Sequence, residues 1–179
     1  MTKKLLLAGG CFWCVEHDMR KASGVSEVIS GYAGGESVDP SYEHHTGHKE
    51  VVEITYDTEV TSYRKILQHF IDHIDPTDAG GQFGDRGESY KTAIFYADDG
   101  ERKIAEKVLA ELDDSHVYAK SHAVELLPDT AFYRAEEYHQ DYAEKNAFRY
   151  SLYRQGSGRE DFVNRTCQIR DEKKVKWSE

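Results

Sequence analysis

Two cysteines stand three residues apart near the start of the chain, in Gly9-Gly10-Cys11-Phe12-Trp13-Cys14-Val15-Glu16. They follow a short apolar run and open a segment that reads as a helix. The thiolate is the reactive form of cysteine, and a helix N-terminus favours negative charge, so Cys11 sits where a nucleophile would be activated. Cys14 lies one helical turn on, within disulfide reach if Cys11 caps the helix. Phe12 and Trp13 are placed either to pack a core or to wall a pocket. A pair of this kind supports redox or nucleophilic thiol chemistry.

Glu50 is the residue best placed to assist. From His48 to Asp57 the sequence alternates, with Val52, Ile54 and Tyr56 on one face and Glu53 and Thr55 on the other. Parity puts Glu50 on the apolar, core-facing row. A carboxyl there has its pKa raised by burial and holds a proton, which is the profile of a general acid, although a satisfied buried carboxylate would read the same way. Two irregular, glycine-containing loops, Glu36 to Gly47 and Asp78 to Ser89, are of a length that is often functional. Tyr42, Asp85, Tyr90 and His139 have no distinguishing signal of their own.

The composition narrows the class. A net charge of −10 argues against nucleic acid as a partner, since phosphate contacts need a basic face. No apolar run approaches a bilayer span, and Leu5 to Ala8 is too short for the core of a signal peptide, so no membrane is expected. Three cysteines, the third being Cys167, are an odd count, which fits free thiols in a reducing, cytoplasmic setting better than a disulfide framework. His44, His45 and His48 lie in a loop without a nearby cysteine, and no second C-x-x-C completes a zinc site, so no metal is expected.

The elements that must carry these residues read as follows. Leu5 to Ala8 is a buried strand, and a helix runs from about Trp13 to Ala22. Val25 to Tyr32 and His48 to Asp57 are strands; Val60 to Ile74 is a helix capped by Thr61 or Ser62. Strands over Tyr90 to Ala97 and Ser121 to Leu127 flank a helix over Glu101 to Leu112, and Ala135 to Asn146 reads as a short helix. The first six elements have the split β-α-β order of a ferredoxin-like unit, which predicts an α+β sandwich with helices packed on a mixed sheet. One domain spans 1–179, with a core over about 3–150 and an extended, irregular tail over 151–179.

Gly10-Cys11-Phe12-Trp13 followed by Glu16 resembles the G-C-F-W-x-x-E signature of the A-type peptide methionine sulfoxide reductases. Gly31-Tyr32-Ala33-Gly34-Gly35, Pro40-Ser41-Tyr42, Thr46-Gly47-His48-Lys49-Glu50, Asp75-Pro76, Gln82 to Gly87 with Tyr90, and His139-Gln140-Asp141-Tyr142 follow in the family's order. The resemblance implies reduction of methionine S-sulfoxide, free or in proteins, with Cys11 as nucleophile and Glu50 as acid. It implies that Tyr42 and Tyr90 hydrogen-bond the sulfoxide oxygen, and that Phe12 and Trp13 hold the S-methyl group. Asp85 and His139 complete the substrate site. It further implies a Cys11 sulfenic acid, then a disulfide reduced by thioredoxin, with no cofactor; a monomer is expected. The family's glycine-rich tail carries resolving cysteines; here Tyr153 to Arg159 has none, which leaves Cys14 and Cys167 as candidates. An alternative reading is a thioredoxin-like thiol-disulfide oxidoreductase using Cys11 and Cys14, but no cis-proline candidate accompanies the pair.

Overall fold

The structure is a computed structural model that describes residues 1–173 and 175–177. In strand β1 (Thr2–Ala8) the apolar half, Leu5 to Ala8, is buried on both faces, while Thr2 to Lys4 are exposed. Leu5 and Leu7 enter the main core, and Leu6 and Ala8 enter a smaller cluster on the reverse face. Helix α1 (Phe12–Met19) leads to β2 (Val25–Ala33), and β3 (Lys49–Asp57) then inserts between β1 and β2, antiparallel to both. This is the split β-α-β expected from the element order.

Helix α2 (Tyr63–Ile71) begins at Ser62, whose hydroxyl accepts the Lys65 N–H at 3.3 Å. A small hairpin, β4 (Gly81–Gln82) and β5 (Asp85–Arg86), and a 3-10 turn over Glu88–Tyr90 fill the second loop. Strand β6 (Ala93–Tyr96) pairs with the free edge of β1. Helix α3 (Asp99–Asp114) crosses to β7 (Glu125–Pro128), parallel to β6. A strand with no counterpart in the sequence reading, β8 (Phe132–Arg134), closes the other edge against β2. The sheet order is β7-β6-β1-β3-β2-β8. Val15 and Met19 of α1, Phe70 of α2 and Val108 of α3 pack with Leu7, Val52 and Ile54 of the sheet in one core.

Two expectations are corrected. Ala135 to Asn146 is not one helix: a 3-10 turn over Glu137–His139 precedes α4 (Tyr142–Lys145), and Asp141 between them has φ 54. The Gln140 amide prevents continuity, because it pairs with the β2 backbone: its oxygen accepts from the Ser30 N–H at 3.0 Å and its NH2 donates to the Ser30 carbonyl at 2.9 Å. Nor is the tail extended and irregular. It forms α5 (Ala147–Gly156) and α6 (Arg159–Lys173), docked through polar side chains rather than an apolar stripe.

Candidate active site

Strand β1 delivers the chain to Gly9-Gly10, and the turn there sets the position of Cys11. Gly10 has φ +85, and a Cβ on it would lie 2.5 Å from Gln82 Cβ and 2.8 Å from Arg159 Nη2, so only glycine fits. Arg159 of α6, 1% exposed, clamps the turn from behind. Its guanidinium donates to the Gly9 carbonyl at 2.8 Å and to the His73 carbonyl at 3.2 Å. Cys11 is then the N-cap of α1, with its carbonyl accepting from the Cys14 N–H at 3.1 Å and the Val15 N–H at 3.3 Å. Its side chain keeps 6% exposure, while Cys14 has none.

Glu50 lies where parity put it, buried at the same helix mouth. The Phe12 N–H donates to Glu50 Oε2 at 3.0 Å. Burial pushes the carboxyl pKa up to about 8, with the negative charge of Asp85 adding to the rise and the Phe12 and Tyr90 hydrogen bonds opposing it. Glu50 therefore holds its proton at neutral pH. The Tyr90 hydroxyl, carried by the 3-10 turn after β5, bonds to Glu50 and to Tyr42. Burial raises the pKa of both tyrosines, and the charge on Glu50 adds to the rise, so both stay neutral hydroxyls. Tyr42 keeps 41% exposure and forms part of the open rim.

The thiols divide their charge differently from the helix-terminus expectation. Burial pushes the Cys11 thiol well above the ordinary range, and the hydrogen bond and charge of Cys14 add to this; the Tyr153 hydroxyl pulls it back. Cys14 is drawn down to about 7, first by the Cys11 hydrogen bond and then by Arg159, Tyr150 and Arg154, against burial. The two groups titrate as one pair. Within the pair, Cys14 is the more acidic thiol.

The aromatic residues split into core and wall. Phe12, 1% exposed, belongs to the main core, tilted against Tyr32 and His139 with ring centroids 5.7 and 4.9 Å away. Trp13 is half-buried and stacks on Tyr142 at 3.8 Å and 9°, so it is the ring that lies at the surface of the site. His139 is buried behind both. Its Nδ1 accepts the Trp13 indole N–H at 3.0 Å, which puts its proton on Nε2, and burial lowers its pKa so that it stays neutral. His139 therefore fixes the angle of Trp13 from beneath. Glu16 ties the same assembly together, accepting from the Ser30 hydroxyl at 2.6 Å and the Asp141 N–H at 2.9 Å.

Asp85 of β5 accepts a hydrogen bond from the hydroxyl of Tyr153 on α5, a residue the sequence reading passed over. Tyr150, Arg154 and Arg159 were passed over too. Arg154 is buried and pairs with Asp18 of α1 at 2.9 Å, while also donating to the Tyr150 hydroxyl at 3.0 Å. The signal available was the i, i+4 spacing of Tyr150 and Arg154 and of Arg159 and Val163, the buried positions of α5 and α6. Cys167 is exposed on α6. It lines a groove of about 540 Å³ shared with His17, Tyr150, Arg154, Glu160 and Val163. Among the described residues no group of three or more His, Cys, Asp or Glu could hold a metal, and no helix is long and apolar enough to cross a membrane.

A thiol at a helix mouth, with a proton held ready on a carboxylic acid beside it, is built to attack a group and protonate it together. That geometry, on a ferredoxin-like sheet, defines a thiol oxidoreductase with its own general acid. The chain belongs to the peptide methionine sulfoxide reductase family, whose family model matches residues 3–171. It is 49% identical over 160 residues to the peptide methionine sulfoxide reductase MsrA of Bacillus licheniformis, covering 87% of this chain and 88% of that one. Among solved structures it is similar to reduced Mxr1 of Saccharomyces cerevisiae, with a TM-score of 0.75 and 32% identity over 82% of this chain and 86% of that one. It is also similar to methionine sulfoxide reductase A of Corynebacterium diphtheriae, with a TM-score of 0.70 and 28% identity over 82% and 76% of the two chains. The thioredoxin-like alternative gives way to this family.

Proposed function

We propose that the chain reduces the S epimer of methionine sulfoxide, free or in proteins, to methionine, and that Cys11 and Glu50 are its nucleophile and acid. The Phe12 N–H bond to Glu50 at 3.0 Å carries this reading, because it holds a neutral carboxyl at the mouth of the helix that Cys11 caps. The Cys11 proton passes to the neighbouring Cys14 thiolate. The Cys11 thiolate attacks the sulfoxide sulfur while Glu50 gives its proton to the oxygen, which Tyr42 and Tyr90 hold by hydrogen bonds. Methionine leaves and the oxygen stays on Cys11 as a sulfenic acid, a two-electron oxidation of cysteine matched by a two-electron reduction of the substrate. Trp13, backed by Phe12 and angled by His139, receives the S-methyl group, and Asp85 borders the site.

Cys14 is the better candidate to resolve the sulfenic acid. It is the more acidic thiol of the pair, with a pKa of about 7, and its sulfur lies within hydrogen-bonding reach of Cys11. It attacks the sulfenic sulfur, the proton it took from Cys11 leaves with the hydroxyl as water, and a disulfide remains. A dithiol protein of thioredoxin type then reduces that disulfide, and no metal or organic cofactor takes part. One monomeric, cytoplasmic domain spanning 1–179 agrees with this reading.

Two substitutions test it. Cys11→Ser is expected to abolish methionine release, measured in a single turnover with methionine S-sulfoxide. Glu50→Gln is expected to slow release by about a hundredfold while leaving the circular dichroism spectrum unchanged. Release of methionine by Cys11→Ser at the parent rate overturns the assignment.

A further inference from the structure

We propose that Tyr153 is a further catalytic residue of this chain: its hydroxyl trades the Asp85 carboxylate for the Cys11 thiolate as the nucleophile is formed. Tyr153 lies on α5 and packs against the cluster of Cys11, Cys14 and Tyr150. Its ring meets Trp13 edge-on, with centroids 5.9 Å apart at 83°. Its hydroxyl bonds to Asp85 Oδ2 and also reaches the Cys11 sulfur. A phenol has one hydrogen to donate, so it serves one of these two acceptors at a time.

Which acceptor is served depends on where the Cys11 proton is. While Cys11 is a thiol, Asp85 Oδ2 takes the Tyr153 hydrogen. Once the Cys11 proton has gone to Cys14, the new thiolate competes for the phenol hydrogen as a charged acceptor. Rotation about the C–O bond is then enough to give it. No bond between heavy atoms forms or breaks, and the proton count of Tyr153 and Asp85 is unchanged. The exchange stabilises the attacking form of Cys11 and leaves one Asp85 oxygen free towards the site.

The surroundings leave few other donors for this task. Cys14 from α1, Glu50 from β3, and Tyr42 and Tyr90 from the two loops are the other titratable groups that act on Cys11, and Asp85 of β5 holds the Tyr153 hydroxyl. The Glu50 proton is needed at the sulfoxide oxygen, and the Tyr90 hydroxyl is engaged with Glu50. Arg154 and Arg159 act on Cys14, behind the pair. Tyr153 is also well fixed. The next residue, Arg154, is locked to Asp18 of α1, so the phenol approaches Cys11 from a helix docked on the helix that Cys11 caps.

This inference rests on Cys11 being the nucleophile, and its test reads Cys11 itself rather than turnover. A Cys167→Ser parent removes the exposed thiol, and the rate of Cys11 alkylation by iodoacetamide is followed against pH by peptide mass mapping. Tyr153→Phe is expected to raise the midpoint by about one pH unit and to slow alkylation near neutral pH about tenfold. Asp85→Asn is expected to act in the opposite direction, because it stops competing for the phenol hydrogen, and that gain should vanish in the double variant with Tyr153→Phe. An unchanged profile in folded Tyr153→Phe overturns the proposal, as does an Asp85→Asn effect of equal size with and without the phenol. Loss of turnover in Cys11→Ser is a separate result and bears on the nucleophile alone.

Discussion

A carboxyl that holds its proton to about pH 8 weakens the fold once it ionises. Glu50 is raised above its usual value by burial, so its favourable contribution is complete below about pH 4.5 and is lost as pH rises through 8. Glu50→Gln keeps the acceptor for the Phe12 N–H and cannot ionise. It is therefore expected to be more stable than the parent by a few kcal/mol at pH 9, and close to it at pH 5, by denaturant unfolding at both values. The same proton makes single-turnover release in the parent fall as pH rises through 8, a limb that Glu50→Gln should lack. An equal stability difference at both pH values would show that the carboxyl is not neutral in the fold. Glu50 was legible because alternation along β3 is strict and its parity is unambiguous. Tyr42, Tyr90 and Asp85 were not legible by spacing, since loops without periodicity bring them together; only the family resemblance pointed to them. Cys11 does cap α1, as its position before the helix indicated, but the more acidic thiol is Cys14, one turn on.

At the level of elements, the site depends on two helices, α5 and α6, docked mainly through hydrogen-bonding side chains. Arg154 of α5 reaches Asp18 of α1 in a buried pair at 2.9 Å, and Asp18 Oδ1 has no hydrogen-bond partner among the described residues, with Lys21 at 3.9 Å from it. Arg154→Met should thus cost about 3–5 kcal/mol by leaving a buried carboxylate uncompensated. The double variant with Asp18→Asn should recover part of that loss, so the two effects measured by thermal unfolding are expected to be far from additive. Additive losses would mean that the pair contributes nothing beyond its separate side chains. The β1, α1, α2 and α3 segments could be read from the sequence because each buries a regular apolar row. Helices α5 and α6 could not, because their buried positions are Tyr150, Arg154, Arg159, Val163 and Thr166. Apolar periodicity is blind to a face made mostly of hydrogen-bonding groups. Gln140 shows the same blindness in the other direction, since its amide bonds to Ser30 break a helix that the residue types alone allow.

Across the whole molecule, recycling must carry electrons from outside to a sulfur that is almost sealed. Cys14 is wholly buried beside Cys11, whereas Cys167 is exposed on α6. Cys14→Ser is expected to keep one methionine released per enzyme and to lose thioredoxin-dependent turnover; Cys167→Ser is expected to keep both. If Cys167→Ser instead loses turnover while keeping the first release, the exposed thiol is the resolver and the groove along α5 and α6 is its route. The burial of Cys14 has a further consequence. A disulfide between Cys11 and Cys14 can be met from outside only at Cys11, through the mouth that admits the sulfoxide. Substrate and reductant then queue at a single doorway, so the enzyme must clear one visitor before receiving the next. Abundant oxidised methionine would slow its own repair by standing in the reductant's way.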